Sequence, residues 1–577
     1  MVALAIAPAA AAESPGRVPG EVIVKFEERS SAAARATARE GVGASGRGLG
    51  RPGLELVELQ PGTPVRRAVE RLERRDDVAY AEPNFYYEPY AKPNDPRFDE
   101  LWGLDNTGQT VRGRSGMTDA DIDAPQAWNT TTGSRSIQVA VVDSGIAYDH
   151  PDLAPNIWTN PGETGTGGGG ADRRSNGVDD DGNGYVDDWR GYDFRGEDNS
   201  PFDLVGHGSH VAGTVGGRGD NAFGVAGVNW RVGLMALKAG DTFAPDNASA
   251  IEAFEYAADN GAEVVNASFG SPFRSRALAE TIESSDDTLF VAAAGNLGAN
   301  NDREPDYPCN YPARNMVCVA ASTMDDKLAK FSNFGREKVD LAAPGERVVS
   351  AQPELTSAFE DDFETSLTGR WTTGGANDTW GRDAFAGEHS LSDSPGLRYL
   401  NDTDSFARSP LLALNAPNGC RVDWGMFLST AGRDDYLQLD VSSDGASWRK
   451  VARFSEFSEL PFYSEEIEGV TASSAYIRFV LRSDGSRRGE GADIDDLKVT
   501  CAKSTYSAGS FVDFEGTSMA APHVAGVAGL LFAERPGASI RRVRAALLDG
   551  VDRLRKDDDK VATGGRLNAR KALAELD

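Results

Sequence analysis

The fold of this chain is decided by the stretch IQVAVVDSG at residues 137–145. Its first six residues are mostly β-branched and apolar, which predicts a strand buried on both faces. Similar runs follow at 262–266 (AEVVN) and 288–293 (TLFVAA), and residues 248–260 have the amphipathic pattern of a helix. This alternation predicts an α/β fold with a mostly parallel sheet and helices on both faces. Asp143 stands at the carboxyl end of the first strand, where such sheets bind ligands, although an Asp there is more often a turn residue.

Two other segments do not follow this α/β pattern. Residues 18–90 run as strand, helix, strand, helix and strand, which predicts a small sheet with two helices on one face. Residues 355–505 lose helical periodicity, and Asp-Gly turn pairs follow strand-like alternation there, which predicts an all-β sandwich. We therefore expect a small α+β domain at 18–92 and an α/β domain in two parts, 93–354 and 506–577, interrupted by a sandwich at 355–505.

The charge of the chain is strongly acidic. Its 577 residues include 59 basic and 89 acidic ones, for a net charge of −30, which argues against a nucleic-acid partner. A mean hydropathy of −0.42 and the lack of any run of 18 apolar residues argue against a multi-pass membrane protein. Residues 1–92 hold 13 basic and 13 acidic residues, so the excess lies entirely downstream. It is either a solvated surface or a set of carboxylates gathered for cations.

The first residues and the cysteines indicate an oxidising compartment. The start, MVALAIAPAAAAES, has an apolar run and an A-x-A site, which predicts a signal-peptide remnant at 1–12 and secretion. The alternative is an Ala-rich disordered terminus. Four cysteines allow three disulfide pairings, and their division between the predicted domains favours Cys309 with Cys318 and Cys420 with Cys501.

Two further segments contain residues suited to catalysis. GHGSHVAG at 206–213 starts a helix with His207, where the helix N-terminus disfavours the imidazolium and keeps a neutral base available. GTSMAAPHVAG at 516–526 starts another with Thr517 and Ser518, where a hydroxyl can act as a nucleophile beside backbone N–H groups. A packed histidine and a simple helix cap are the alternatives for these two segments.

Together the three segments resemble the signatures of the subtilisin-like serine proteases, D-[ST]-G, H-G-x-H-V-A-G and G-T-S-M-A-x-P, in that family's order. The resemblance implies that Ser518 attacks the scissile carbonyl, that His207 takes and returns its proton, and that Asp143 orients the imidazole. It also implies that Asn296, in AAAGN at 292–296, donates to the oxyanion.

The resemblance extends to substrate binding and to the flanking domains. It implies that Ser268, Phe269 and Gly270 pair with an extended substrate, and that Ala293, Ala294 and Gly295 line the pocket for the residue before the cleaved bond. Residues 18–90 are similar to inhibitor-type propeptides, which implies self-cleavage between about Phe85 and Asn94; a permanent N-terminal domain is the alternative. The sandwich looks like the jelly-roll modules of the MAM or immune-inhibitor type.

The densest acidic cluster, NGVDDDGNGYVDD at 176–188, has the spacing of a Ca²⁺ loop. Its predicted ligands are Asp179, Asp181, Asn183, the Tyr185 carbonyl and Asp187, with Asp188 in place of the bidentate Glu that is missing at position 12. The alternative is a solvated loop without a cation.

Two further calcium sites are weaker predictions. By resemblance alone, HPDL at 150–153 and GDNAFGV at 219–225 imply a site with Asp152 and Asn221 as ligands. Acidic runs at 361–364 and 491–497 indicate either a third Ca²⁺ in the sandwich or a solvated surface.

The sequence therefore predicts a secreted, calcium-stabilised serine endopeptidase that acts on proteins and peptides. We expect a monomer whose own propeptide inhibits it, with neither nucleic acid nor membrane as a partner. The competing hypothesis is an adhesion or matrix-binding protein in which the β-sandwich is the functional part.

Overall fold

The computed structural model describes residues 17–60, 62–85, 91–241, 245–385, 388–414, 417–467 and 473–576. The chain divides into two compact units, Met1–Tyr90 and Ala91–Asp577. The predicted signal remnant and residues 86–90 of the predicted cleavage segment lie outside the described residues. No helix in the described part of the chain is long and apolar enough to cross a membrane.

The first unit is a small antiparallel sheet with two helices. Its elements are β1 (Arg17–Phe26), α1 (Ala32–Gly41), β2 (Ala44–Gly48), β3 (Leu54–Leu59), α2 (Val65–Glu73) and β4 (Val78–Phe85). The strand order is β2-β3-β1-β4. The predicted order of elements is correct apart from β2, an added edge strand. Its sequence, ASGRG, is mostly exposed and has no alternating apolar residues, so no periodicity predicts it.

The second unit begins with the first part of the α/β domain. Its elements are β5 (Thr110–Val111), β6 (Arg114–Ser115), α3 (Ala124–Trp128), β7 (Gln138–Asp143), β8 (Gly191–Asp193), α4 (His207–Gly216), β9 (Gly233–Lys238), α5 (Asn247–Asp259), β10 (Val264–Ala267), α6 (Arg276–Ser284), β11 (Leu289–Ala293), β12 (Met316–Ser322), β13 (Leu341–Pro344) and β14 (Val348–Ala351).

The insert that follows is all β within its described residues. Its strands are β15 (Leu355–Asp361), β16 (Thr372–Ala376), β17 (Gly381–Phe385), β18 (Glu388–Ser392), β19 (Asp404–Arg408), β20 (Leu412–Ala413), β21 (Cys420–Ser429), β22 (Tyr436–Ser442), β23 (Arg449–Ser455), β24 (Phe457–Ile467), β25 (Ser474–Arg482) and β26 (Gly491–Ala502). They form two antiparallel sheets, one built on β17-β18-β26-β21-β24 and the other on β16-β19-β25-β22-β23, which share one apolar core. This confirms the predicted sandwich.

The α/β domain resumes with β27 (Phe511–Phe514), α7 (Thr517–Glu534), α8 (Ile540–Asp549), β28 (Val551–Arg553), β29 (Gly565–Leu567) and α9 (Ala569–Glu575). β27 pairs antiparallel with β14, so the chain enters and leaves the insert through neighbouring strands. The disulfides Cys309–Cys318 and Cys420–Cys501 are the predicted pairs. The predicted domain boundaries themselves stay predictions.

The central sheet carries the site. Among the described strands its order is β28-β29-β13-β12-β11-β10-β7-β9-β8, and all pairs except β28 with β29 are parallel. Along β7, Val139 and Val141 pack with α4 and α7 on one face, whereas Ala140 and Val142 pack with α5 and α6 on the other. Because strand side chains alternate between faces, an uninterrupted apolar run is buried on both sides. The α/β prediction is confirmed.

Candidate active site

Asp143 and His207 meet at the carboxyl edge of the central sheet. Asp143 is the last residue of β7 and His207 the first of α4, and His207 Nδ1 lies 2.7 Å from Asp143 Oδ1. Both side chains are buried. Gly208 makes this approach possible, because a β-carbon there would clash with the Gly145 carbonyl and lie 3.1 Å from Asp143 Cβ. The glycine of the H-G-x-H signature is therefore required by close packing of α4 on the loop after β7.

The electrostatics of the pair favour a basic imidazole. Burial alone would lower the pKa of His207, but the Asp143 carboxylate outweighs burial and the net pKa is raised. A second carboxylate, Asp203, also raises it and is itself fully buried, which raises the pKa of Asp203.

Asp203 is a residue that the sequence reasoning missed. Its carboxylate accepts hydrogen bonds from Ser144 Oγ at 3.0 Å, from Ser209 Oγ at 2.6 Å, and from the backbone N–H groups of Val205, Gly206 and Ser209. It thereby joins the loop after β7 to the first turn of α4. No short motif marks this role, because the link that it makes to Ser144 spans 59 residues of the chain.

Ser518 lies in the first turn of α7 against the end of β10. Its Oγ donates to the Ser268 carbonyl at 2.9 Å, and Ser268 Oγ donates in return to the Ser518 carbonyl at 2.8 Å. Pro522 explains why that carbonyl is available: a proline has no N–H with which to bond the carbonyl four residues earlier in the helix. The predicted substrate-binding residue Ser268 therefore also anchors the backbone of Ser518, the predicted nucleophile.

Asn296 is held beside Ser518 by Thr517. Asn296 Oδ1 accepts from Thr517 N at 2.8 Å and from Thr517 Oγ1 at 3.0 Å. Because Oδ1 is engaged as an acceptor, the amide nitrogen is left as the donor of this side chain. Thr517 Oγ1 also accepts from Gly295 N at 3.1 Å, so the segment after β11 is joined to α7. The sequence analysis weighed Thr517 as a helix cap or a hydroxyl nucleophile and did not predict that it orients Asn296.

The predicted substrate segments follow two adjacent parallel strands. Residues 268–270 continue β10 and residues 293–295 continue β11, so both reach the sheet edge that holds Ser518. Phe269 packs on Phe254, with ring centroids 6.2 Å apart, whereas Ala293 and Ala294 are buried. Their role in binding substrate stays a prediction.

The acidic loop at 176–188 brings together some of its predicted ligands. Oxygens of Asp179 and Asp181 lie within 4.8 Å of each other and of Glu163, a buried residue that the sequence reasoning missed. Glu163 Oε1 accepts from two backbone N–H groups of the loop, and its other oxygen is buried without a hydrogen-bond partner. An unpaired buried carboxylate oxygen beside two further carboxylates fits a hard cation.

The other predicted ligands of this loop have different partners. Asp187 Oδ1 accepts from the backbone N–H groups of Asn176 and Gly177, and so closes the loop on itself. Asp188 is fully buried and accepts from Asn183 Nδ2 at 2.8 Å and from Tyr256 Oη at 2.5 Å. Asn183 Oδ1 accepts from the N–H of Tyr185, whose carbonyl was the predicted ligand.

The second predicted site lies around Asp152. Its Oδ1 accepts from Asn221 Nδ2 and its Oδ2 from Val225 N, both at 2.8 Å. Asp95, which the sequence reasoning missed, lies near Asp152: its Oδ2 accepts from Asp220 N, and its Oδ1 is buried without a partner. Burial raises the pKa of Asp152 to about 7 and raises that of Asp95. The unpartnered Asp95 oxygen beside Asp152 fits a hard cation, whereas Asn221 Oδ1, the predicted ligand atom, accepts from Phe223 N at 2.8 Å.

Comparison with known proteins identifies the family. The model of the subtilase family (Peptidase_S8) matches residues 134–377 and 453–566. The chain belongs to the subtilase family. The first unit of this subtilase matches a second model, the fervidolysin N-terminal prodomain, over residues 5–84. The likeness of the insert to MAM or immune-inhibitor modules stays a prediction.

Several relatives carry the names of serine proteases. This subtilase is 34% identical to the thermophilic serine proteinase of Bacillus sp. (strain AK1) over 342 residues, which is 58% of this chain and 71% of that protein. It is 31% identical to halolysin of Haloferax mediterranei over 300 residues, 51% of this chain and 48% of halolysin. It is 31% identical to thermitase of Thermoactinomyces vulgaris over 240 residues, 41% of this chain and 72% of thermitase. The chain thus spans about half of halolysin. Its family and its relatives show that it is a serine endopeptidase of the subtilisin type.

Proposed function

We propose that this subtilase is secreted and calcium-stabilised, cleaves peptide bonds through Ser518, His207 and Asp143, and removes its own N-terminal unit. The 2.7 Å contact between His207 and Asp143 carries the proposal, because it couples a buried base to a buried carboxylate at the edge that holds the Ser518 helix.

The proposed chemistry is acyl transfer through an ester on Ser518. Ser518 Oγ attacks the scissile carbonyl as its proton passes to His207, and the Asp143 carboxylate stabilises the imidazolium. The imidazolium then protonates the leaving amine, and an ester between the acyl group and Ser518 remains. Water, deprotonated by His207, attacks this ester, and the proton returns to Ser518 as the acid leaves.

The oxyanion of both tetrahedral intermediates needs hydrogen-bond donors. The amide nitrogen of Asn296 and the N–H of Ser518 at the start of α7 are the proposed pair. Thr517 supports this role, since it fixes Asn296 Oδ1 and so fixes the orientation of the amide. A donor that is already oriented needs no rearrangement as charge develops on the oxygen.

The first unit is the proposed propeptide. Its match to a prodomain family supports an inhibitor that is removed by cleavage between about Phe85 and Asn94. A Ser518→Ala protein should therefore be secreted uncleaved and should not hydrolyse casein, whereas the wild type should show a new N-terminus in this segment. Ser518→Ala protein that still matures and cleaves casein would rule out the nucleophile.

Calcium is the proposed cation at both acidic sites. Glu163, Asp179 and Asp181 would hold one ion, and Asp95, Asp152 and Asn221 would hold another. A bound ion would neutralise carboxylates that otherwise repel one another, and so would hold these loops in place. Isothermal calorimetry of chelator-treated protein tests this, with Mg²⁺ as the comparison ion.

The insert is proposed to influence which substrates reach the site. Arg421 Nη1 donates to the Leu204 carbonyl at 2.7 Å, and Ala502 packs in an apolar cluster with Phe202 and Leu204, three residues before His207. These contacts support a location beside the cleft. Deletion of residues 358–503 should change the ratio of activity on folded and unfolded proteins, and an unchanged ratio would contradict the proposal.

A further inference from the structure

Two segments flank the proposed nucleophile, and we call them the pocket walls: residues 268–270 and residues 293–295. The first is tied to Ser518 through the Ser268 carbonyl, and the second to Thr517 through Gly295 N. Both therefore meet the first turn of α7. A substrate side chain next to the scissile bond would enter between them.

The carboxylate of Asp306 lies between the pocket walls. A β-carbon on Gly270 would clash with Asp306 Oδ1, and one on Gly295 would lie 3.1 Å from Asp306 Oδ2. Gly270 therefore has to be a glycine to leave room for this carboxylate, whereas at Gly295 a β-carbon would clash first with Asn333 Nδ2. Asp306 comes from a third loop, between β11 and β12, that neither wall belongs to.

Backbone hydrogen bonds hold Asp306 in this position. Ser271 and Tyr307 exchange two N–H···O bonds, at 2.9 and 2.8 Å, which join the Asp306 loop to the end of the first wall. Asp306 N donates to Asn310 Oδ1 at 3.1 Å, and Asn310 N donates to the Asp306 carbonyl at 2.8 Å. These bonds therefore hold the backbone that carries the Asp306 carboxylate.

Asp306 has no cationic partner among the residues that the structure describes. Its Oδ1 is buried without a hydrogen bond, and the ion pairs within the described ranges do not include it. The acidic cluster found in that same part of the chain, around Glu163, does not include it either. Burial raises the pKa of Asp306 to about 6, with the Ser271 N–H partly opposing the rise. A half-buried carboxylate without a countercharge carries a desolvation cost, which a cationic substrate side chain would offset.

The walls and the carboxylate together match one kind of side chain. Gly270 is exposed and Gly295 is half-buried, so a methylene stem can lie along their backbone, whereas Ala293 and Ala294 are already buried by the protein itself. Asp306 supplies a negative charge where the end of a long side chain would lie. Lysine and arginine have an apolar stem and a cationic end, whereas phenylalanine or leucine would leave the carboxylate buried and unpaired.

We propose that Asp306 is the specificity residue of this subtilase and that it directs cleavage to peptide bonds after lysine or arginine. This inference rests on the proposed function, because it uses Ser518 as the nucleophile. It concerns substrates cleaved in trans. Between Phe85 and Asn94 the only basic residue is Lys92, which precedes Pro93, so self-processing is a poor reaction on which to measure the preference.

The test compares peptide p-nitroanilides that differ only in the residue before the cleaved bond. Mature wild-type enzyme should cleave the lysine and arginine peptides with a kcat/KM about 10- to 100-fold above that for norleucine, the uncharged analogue of lysine. Asp306→Asn should bring the lysine-to-norleucine ratio close to one and leave the norleucine rate largely unchanged. Glu304→Gln is the matched control: it removes an exposed charge two residues away and should leave the ratio at its wild-type value.

The outcomes separate the inference from the function on which it rests. A wild-type ratio of one or less, with norleucine and phenylalanine peptides still cleaved, overturns the role of Asp306 but not that of Ser518. If Asp306→Asn and Glu304→Gln lower the lysine-to-norleucine ratio equally, the role of Asp306 is also overturned, because the overall negative charge of this region would then explain the preference. If no peptide is cleaved and an organofluorophosphate does not label Ser518, the proposed function fails and the inference fails with it.

A second measurement covers the case in which Asp306→Asn does not fold. Benzamidine, an aromatic cation, should competitively inhibit wild-type cleavage of the phenylalanine peptide, whereas benzamide, its neutral analogue, should inhibit at least about 10-fold less. Equal inhibition by the two compounds would contradict a carboxylate that binds cations between the pocket walls.

Discussion

Lys238 makes a buried ionic contact between the α/β domain and the insert. Its side chain, at the end of β9, is 1% exposed. Its Nζ lies 2.5 Å from Glu466 Oε2 in the insert and 2.9 Å from Asp193 Oδ2, with Asp241 at 3.9 Å. Burial alone would lower the pKa of Lys238, but these carboxylates, Glu466 first, outweigh burial and raise it. Lys238 therefore stays charged in the folded protein.

Replacement of Lys238 by methionine keeps the stem and removes the charge. Loss of one partner from a buried ion pair costs about 3–5 kcal/mol, because the remaining charge is left in a poor solvent. Glu466 can limit this cost by taking up a proton, since its burial works against the ionised form even with Lys238 beside it and raises its pKa. When folding raises the pKa of a carboxyl group, the folded protein loses stability as the pH rises from the unfolded-state pKa to the folded-state pKa of that group. The destabilisation should therefore be near 3 kcal/mol at pH 6 and larger at pH 9.

The assay is guanidinium unfolding of the full chain, with Ser518→Ala throughout to prevent autolysis. Lys560→Met is the matched control, because Lys560 pairs with Asp557 at 2.9 Å on the surface, where such pairs contribute about 0–1 kcal/mol. If Lys238→Met costs less than about 1 kcal/mol or matches Lys560→Met at both pH values, the buried contact does not hold the insert and the reasoning is refuted.

Three further predictions concern the site and the calcium loop. Asn296→Ala should lower kcat by about 10²–10³-fold with little change in KM, as removal of this type of donor does in subtilisin, and an equal rise in KM would contradict a role confined to the transition state. In calcium, Glu163→Gln should lower the free energy of unfolding by about 1.4 kcal/mol, which corresponds to a tenfold weaker calcium site, and this difference should vanish in EDTA. Glu197→Gln, a control at an exposed residue, should show no difference in either condition. The catalytic base must be neutral, so kcat/KM should fall as the pH drops through the raised pKa of His207, and Asp143→Asn should move this limb to lower pH as well as lowering the plateau. If the acidic limb of the kcat/KM profile does not move in Asp143→Asn, Asp143 does not raise the pKa of His207.

Local patterns predicted most of the fold. The apolar run of β7 is buried on both faces as its composition requires, and the insert is a two-sheet sandwich. The edge strand β2 was missed because an exposed glycine-rich strand has no periodicity to detect. Among the candidate ligands, Asp187 closes its own loop through Asn176 and Gly177, whereas the spacing rule had assigned it to the ion.

The sequence by itself determined the family, the order of the domains and the residues of the three signature segments. These features are local: a strand, a helix start or a glycine at a close approach each leave a pattern within about ten residues. Only the tertiary structure showed Asp203 under His207, Asp95 beside Asp152, and Asp306 between Gly270 and Gly295. Asp95 and Asp306 act on residues that are distant in the chain, and Asp203 joins its own segment to Ser144, 59 residues away. The chemical role of a buried charge depends on the groups around it, and the order of residues in the chain does not show which groups those are.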